Sequence, residues 1–307
     1  MRNRLVLALA ATAVLAASLA EAAPGDRLRA RFAERMGAAN KAAPEVPAPQ
    51  VLSYGPDEAQ RMNLWLPAGA KGPVPLVVFV HGGGWKRGSA DNATGKWKAA
   101  HYPGEGYAFA SINYRLVPGA TVEDQAADVA AALKVLIDQA GKLGIDKRRI
   151  VIMGHSAGAH LVALVGTDER YLKRAGLSFA ALRGVIPIDG AAYDVAAQMK
   201  DGPQMMQATY AQAFGTDPAR QRALSPTLQA GAPNAPKFLL LYVQRPDGLR
   251  QSAALAAALK ASGTSVETGS FPGEGLMGHM EINRRLGDPD YAATGVVDAW
   301  LKRVFGR

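Results

Sequence analysis

The sequence predicts an α/β protein with a mostly parallel central sheet and helices on both of its faces. Two observations carry that prediction. Continuous apolar runs suited to strands covered on both sides, Leu76 to Val80, Tyr107 to Asn113 and Ile150 to Ile152, alternate with segments of helical periodicity. Such alternation of strand, helix and strand is the pattern of a parallel sheet wound with helices. Secondly, two of these runs end directly in glycine-rich turns, His81-Gly82-Gly83-Gly84 and Gly154-His155-Ser156-Ala157-Gly158. Strand ends of parallel sheets are where loops converge on ligands.

The elements follow in chain order. Arg2 and Arg4 precede an uncharged Leu/Ala/Val run from Leu5 to Ala20, and Ala20-Glu21-Ala22 fits a small-x-small cleavage site. Residues 1–22 are therefore expected to be a secretory signal peptide, since the apolar stretch is shorter than the roughly 20 residues of a spanning helix. The mature chain is then expected in the periplasm or outside the cell, with no stable membrane anchor. Residues 23–50 read as a short amphipathic helix, with Leu28, Phe32 and Met36 at spacing four, and an Ala/Pro-rich linker. The folded domain is expected over 51–307.

Val51 to Tyr54 and Met62 to Leu66 predict two strands around the turn Gly55-Pro56-Asp57-Glu58. Lys96 to Gly104 is helix-like, and Val122 to Ala140 spaces Val129, Leu133, Leu136 and Ile137 as an amphipathic helix. Small residues from Ala157 to Gly166 predict a helix packed closely behind the Ile150 strand. Gly184 to Ile188, Lys237 to Val243 and Val266 to Phe271 predict further strands, and Val296 to Phe305 a closing helix. Gln244 to Leu249 reads as a loop, and Pro272 to Gly278 as a flexible one. Residues 191–236 are irregular with helical pieces, a candidate cap over a site, in which Tyr193, Met199, Met205, Met206, Tyr210 and Phe214 serve either a pocket or ordinary packing.

Bulk properties limit the function classes. The chain has 307 residues and a net charge of +9, which becomes +8 once two arginines and one glutamate leave with residues 1–22. Its basic residues are scattered and not interleaved with aromatics, so no nucleic-acid platform is expected. There is no cysteine, which excludes disulfides, zinc-thiolate sites, a cysteine nucleophile and a lipidated cysteine.

The chemistry-bearing motifs are the two glycine turns. Gly-x-Ser-x-Gly matches a nucleophile elbow, in which flanking glycines let strand and helix approach while the serine hydroxyl projects above the sheet. With glycine at 33 of 307 residues, the pentapeptide arises by chance in on the order of one chain in ten. His-Gly-Gly-Gly arises in under about one in a hundred. Three glycines let peptide N–H groups turn inward, so Gly83, Gly84 and Ala157 are the expected oxyanion-hole donors.

These motifs, with Asn113-Tyr114-Arg115-Leu116 and with Asp128 in the following helix, resemble the α/β-hydrolase fold, in the esterase and lipase group whose oxyanion loop reads His-Gly-Gly-Gly. Within it the chain is similar to feruloyl esterase and arylformamidase-like carboxylesterases. The resemblance implies a serine carboxylesterase for small or aromatic acyl esters, carbohydrate-linked ones among them, with no metal or cofactor. It implies a triad in chain order serine, acid, histidine. Ser156 is the nucleophile. Of the five histidines, only His279 follows Ser156 in a loop after the last strand, and it is the expected base. Asp247 is the favoured acid, because it follows the penultimate strand in an Asp-Gly-Leu similar to the family's Asp-x-Leu; Asp189, at the end of the preceding strand, is the alternative. Asp128 reads as a structural carboxylate. Two other functions remain open: an amide hydrolase of arylformamidase or peptidase type, and a non-catalytic binding protein on the same fold.

Overall fold

The computed structural model describes residues 44–306. The expected signal peptide and the amphipathic helix at 26–36 lie outside the described residues. Residues 44–49 carry no regular secondary structure, and the sheet begins at Gln50.

Eight strands form one sheet in the order β1-β2-β4-β3-β5-β6-β7-β8. They are β1 (Gln50–Ser53), β2 (Arg61–Trp65), β3 (Val74–Val80), β4 (Ala108–Ile112), β5 (Ile145–His155), β6 (Gly184–Ile188), β7 (Lys237–Gln244) and β8 (Ser265–Glu274). β1 and β2 pair antiparallel at one edge, and β2 pairs antiparallel with β4. From β4 to β8 every pairing is parallel. The antiparallel edge joins by a short turn, whereas the parallel strands need crossovers, which the helices supply.

The helices include α1 (Lys98–Gly104), α2 (Val122–Asp138), α4 (Ala157–Thr167), α10 (Pro246–Ala261), α11 (Gly275–Arg285) and α12 (Ala292–Phe305). Between them lie the short α3 (Ala140–Leu143) and α5 (Glu169–Arg174), and, between β6 and β7, α6 (Val195–Asp201), α7 (Gln207–Phe214), α8 (Pro218–Ala223) and α9 (Pro226–Gln229). α2 starts where Thr121 accepts from the Asp124 N–H while the Asp124 carboxylate accepts from the Thr121 N–H, a reciprocal cap that satisfies two orphan donors.

Alternate residues of the central strands feed two cores. Leu76, Val78 and Val80 face a cluster shared with α2 and α4, while Val77 and Phe79 face one shared with α1 and α12. This is why Leu76 to Val80 is apolar without interruption: each face of the strand is covered. The structure places two segments differently from the sequence expectation. Pro246 opens α10, so Asp247 stands in a helical first turn and not in a loop, and Gly275 opens α11, so His279 is helical.

Candidate active site

The sheet register brings the site together. β5 and β6 are neighbours, with His155 opposite Ile188. The residues that follow, Ser156 and Asp189, therefore emerge side by side at the C-terminal edge. The Ser156 N–H donates to the Ile188 carbonyl at 3.0 Å. Ser156 has φ 56° and ψ −117°, a conformation an L-residue holds only when its surroundings fix it, at a cost of order 1–3 kcal/mol. The elbow glycines show what fixes it. A Cβ on Gly154 would stand 2.3 Å from the Gly158 carbonyl oxygen, and one on Gly158 would stand 2.1 Å from that of Val80. Only glycine lets α4 start so close to β3 and β5.

His279 completes a hydrogen-bonded chain. Its Nε2 lies 3.0 Å from Ser156 Oγ, and its Nδ1 lies 2.6 Å from Asp189 Oδ2. A carboxylate only accepts, so Nδ1 carries the proton and Nε2 is left with a lone pair toward the serine hydroxyl. Asp189 is fully buried. Its other oxygen accepts from the Val243 N–H at 3.1 Å, and its own N–H donates to the Leu241 carbonyl at 2.7 Å. β7 thus holds Asp189 by main-chain bonds, and Arg245 adds an ion pair to Oδ2 at 3.4 Å. His155 underlies His279, with ring centroids 4.5 Å apart, and its Nε2–H donates to the His279 carbonyl at 2.9 Å. Burial pushes the His155 imidazole well below its ordinary range and the charges around it push the same way, so it is neutral.

Asp247, the favoured acid from sequence, is not the residue that meets His279. Both ring nitrogens are engaged by Ser156 and Asp189, and the Asp247 carboxylate accepts instead from Gln198 Nε2 at 2.9 Å and from Arg245 at 3.2 Å. The physical reason is strand order combined with the helix start: β6 lies next to β5, while Pro246 draws Asp247 into the first turn of α10. The structure brings Ser156, His279 and Asp189 together.

The His81-Gly82-Gly83-Gly84-Trp85 segment curls over the serine. Gly83 has φ 130°, and a Cβ there would stand 1.9 Å from the Arg87 carbonyl oxygen, which itself sits in a turn whose N–H donates to Gly83 O at 3.2 Å. A Cβ on Gly82 would stand 3.0 Å from that of Ser156. Gly84 and Ala157 border the cavity beside Ser156; Gly83 does not line it. His81 anchors the loop. It donates from Nδ1 to Gly82 O at 2.7 Å, and its ring stacks on Tyr114 at 4.3 Å, whose hydroxyl donates to the His81 carbonyl. Burial pushes His81 down to about 4. His160 is held likewise: it accepts from Trp85 Nε1–H and donates to the Leu224 carbonyl, and burial pushes it down to about 4.

The cavity over Ser156 has a volume of about 420 Å³. Its lining is mostly apolar, with Trp85, Met205, Met206 and Leu276, and Tyr210, Asp247 and Arg245 add polar groups. Of the expected pocket residues in 191–236, Met205, Met206 and Tyr210 line it, whereas Tyr193 and Phe214 are packed in the core and Met199 against it. Asp128 is a structural carboxylate, accepting from the Arg115 guanidinium and N–H and from Gln60. Another buried charge, the Lys98 ammonium, donates to Thr94 O and to both oxygens of Asn283 on α11, one turn beyond His279. Among the described residues no cluster of three or more His, Cys, Asp or Glu could hold a metal. Nor is any described helix long and apolar enough to cross a membrane.

Comparison with known proteins agrees with this architecture. Residues 62–214 match the BD-FAE family model. The chain is 29% identical over 253 residues to carboxylesterase NlhH of Mycobacterium tuberculosis, covering 79% of this chain and 78% of that one. It is 34% identical over 110 residues to a probable isoprenylcysteine alpha-carbonyl methylesterase of Oryza sativa subsp. japonica, a match over 36% of this chain that spans only 26% of the plant protein. Esterase B from Lactobacillus rhamnosis superposes with a TM-score of 0.69 at 22% identity, over 92% of each chain. With its strand order, its elbow and this superposition, the chain has the α/β-hydrolase fold.

Proposed function

We propose that the protein hydrolyses carboxylic esters through an acyl-enzyme, with Ser156 as nucleophile, His279 as general base and acid, and Asp189 as the carboxylate that orients it. The hydrogen-bonded chain Ser156 Oγ, His279, Asp189 is the observation that carries this reading. Ser156 Oγ attacks the ester carbonyl while His279 Nε2 takes its proton. Negative charge develops on the carbonyl oxygen, where the N–H groups of the Gly83-Gly84 segment and of Ala157 are the donors to stabilise it, and the N-terminus of α4 adds its positive dipole end. The imidazolium, stabilised by Asp189, returns the proton to the leaving alcohol. Water then attacks the acyl-enzyme by the same route in reverse roles.

The similar proteins are named as carboxylesterase, methylesterase and esterase, and the largely apolar cavity suits small or aromatic acyl esters, including those of carbohydrates. The protein is exported in this reading, cut after Ala22, and acts in the periplasm or outside the cell. The test is hydrolysis of p-nitrophenyl acyl esters, methyl ferulate, acetylated xylan and N-formylkynurenine by the wild type and by Ser156→Ala. Ester cleavage that disappears in the variant is expected. Preference for the formamide would replace the ester reading by an amide hydrolase, and no turnover together with no phosphonate labelling would leave a binding protein. N-terminal sequencing of protein from the producing cell is expected to begin at Ala23; an intact Met1 would refute export.

A further inference from the structure

The carboxylate that does not orient His279 has another arrangement around it. Gln198, on α6, spends both hydrogens of its side-chain amide: Nε2 donates to Tyr210 Oη at 2.9 Å and to Asp247 Oδ2 at 2.9 Å. The orientation of this amide is fixed by its partner, because a carboxylate only accepts and must face the nitrogen. Tyr210 therefore receives a hydrogen bond, and its own phenolic proton has no acceptor among the described residues. Asp247 Oδ2 is doubly satisfied by Gln198 and Arg245, while Oδ1 has no donor among them. Both side chains line the cavity over Ser156, and they are only 2% and 4% exposed. Burial and the nearby Asp247 charge raise the Tyr210 phenol above its ordinary range, against the pull of Gln198, so it keeps its proton as a donor.

The wall is built and not incidental. Gly202 lines the same cavity, and a Cβ there would stand 2.7 Å from Gln198 Nε2 and 2.9 Å from Tyr210 Cε2. Tyr210 is braced on its other side by Trp85, edge to face at 6.2 Å. A donor and an acceptor held next to each other on the cavity wall, each with one valence that the described residues leave open, favour a ligand group that fills both. An uncharged group that both donates and accepts suits the pair, and a hydroxyl is the simplest such group. A second carboxylate would be repelled by Asp247, and an ammonium would leave the Tyr210 proton unused.

We infer that Tyr210 and Asp247, locked by Gln198, form a subsite that binds a hydroxyl of the substrate, the phenol donating to its oxygen and the carboxylate Oδ1 accepting its proton. This rests on the ester-hydrolase reading and adds to it a substrate class, hydroxylated esters. The hydroxyl can belong to the acyl or to the alcohol half, and two ester pairs separate these sources: methyl 4-hydroxyphenylacetate against methyl phenylacetate, and glycerol 1-acetate against propyl acetate. The wild type is expected to favour the hydroxylated member of one pair at least tenfold in kcat/KM. Tyr210→Phe, which removes one atom from the side chain, is expected to shrink that preference below about threefold. Equal treatment of both pairs by the wild type, or a loss in Tyr210→Phe that falls equally on both members, would overturn the subsite. Calorimetric titration of Ser156→Ala with the same pairs reads the subsite without turnover. A fivefold or greater preference in Kd sustains it even if the wild type cleaves no ester, a result that would remove the hydrolase reading alone; equal binding overturns it.

Discussion

Replacing Asp189 by Asn tests the assignment of the acid most directly. The substitution keeps the shape of a fully buried side chain, so its effect is electronic and depends on which way the new amide points. The structure decides this. Oδ1 accepts from the Val243 N–H at 3.1 Å, and that main-chain donor has to keep an acceptor. The Asn oxygen therefore stays at Oδ1, and its NH2 takes the place of Oδ2, 2.6 Å from His279 Nδ1. Nδ1 can then only accept, so the ring proton moves to Nε2 and faces Ser156, where a lone pair is needed. Losing a charge-assisted hydrogen bond of about 1.5–3 kcal/mol by itself lowers the rate about ten- to a hundredfold. Holding the wrong tautomer raises the expected loss in kcat to on the order of 10³–10⁴. KM is expected to stay within about threefold, because Asp189 does not line the cavity. The assay is steady-state hydrolysis of p-nitrophenyl acetate, normalised to active sites by phosphonate titration, beside Asp247→Asn, which is expected to lose less than tenfold. If Asp247→Asn is the more damaging, the reasoning from sheet register to catalytic acid is wrong.

Three further expectations follow from the packing. Gly82→Ala puts a Cβ 2.9 Å from the His155 carbonyl oxygen and 3.0 Å from the Ser156 Cβ, so it is expected to lower kcat at least about tenfold by displacing the nucleophile; unchanged kinetics would show that the loop relaxes freely. Asp128→Ala strips the partners of Arg115 and Gln60 and, with Arg115 partly exposed, is expected to cost about 2–4 kcal/mol in urea unfolding while turnover per titrated site stays within about twofold. His81 and His160 sit near 4 in the folded protein against an ordinary 6.5; the unfolded chain binds more protons between those values, so stability is full above 6.5 and is lost as pH falls toward 4, by a few kcal/mol from each group. Calorimetric unfolding at pH 7, 5.5 and 4.5 reads this as a falling midpoint, and a flat one would mean that these histidines are not buried as neutral rings.

The elbow and the glycine-rich loop were legible in the sequence because their requirements are local. A serine at φ 56° between a strand and a helix needs its glycines within two residues on each side, and the spacing shows it. The carboxylate that meets His279 was not, because two near-identical signals compete: Ile188-Asp189-Gly190 and Pro246-Asp247-Gly248 both place Asp-Gly just beyond an apolar strand. What separates them is non-local, namely the neighbouring of β5 and β6 and the register of His155 with Ile188. One local clue was present. Pro246 fits the first position of a helix, and reading it so would have moved Asp247 out of the loop. The glycines before His279 misled for a similar reason. A Cβ on Gly278 would stand 2.4 Å from the Gly273 carbonyl carbon, so Gly278 serves close packing of α11 against the end of β8 and not chain mobility.

The difference in how the two halves of the pocket are held has a bearing on how such a protein diversifies. The elbow and the glycine loop are fitted backbone against backbone, Gly158 on Val80 and His81, and Gly82 on His155, and a single added methyl on either presses on both. The opposite wall is fitted by side-chain tips, Gln198 to Tyr210 and to Asp247, on α6, α7 and α10, which carry none of Ser156, Asp189 and His279. Substitutions at 198, 210 and 247 are therefore expected to reshape the cavity wall while leaving the geometry of Ser156, His279 and Asp189 intact.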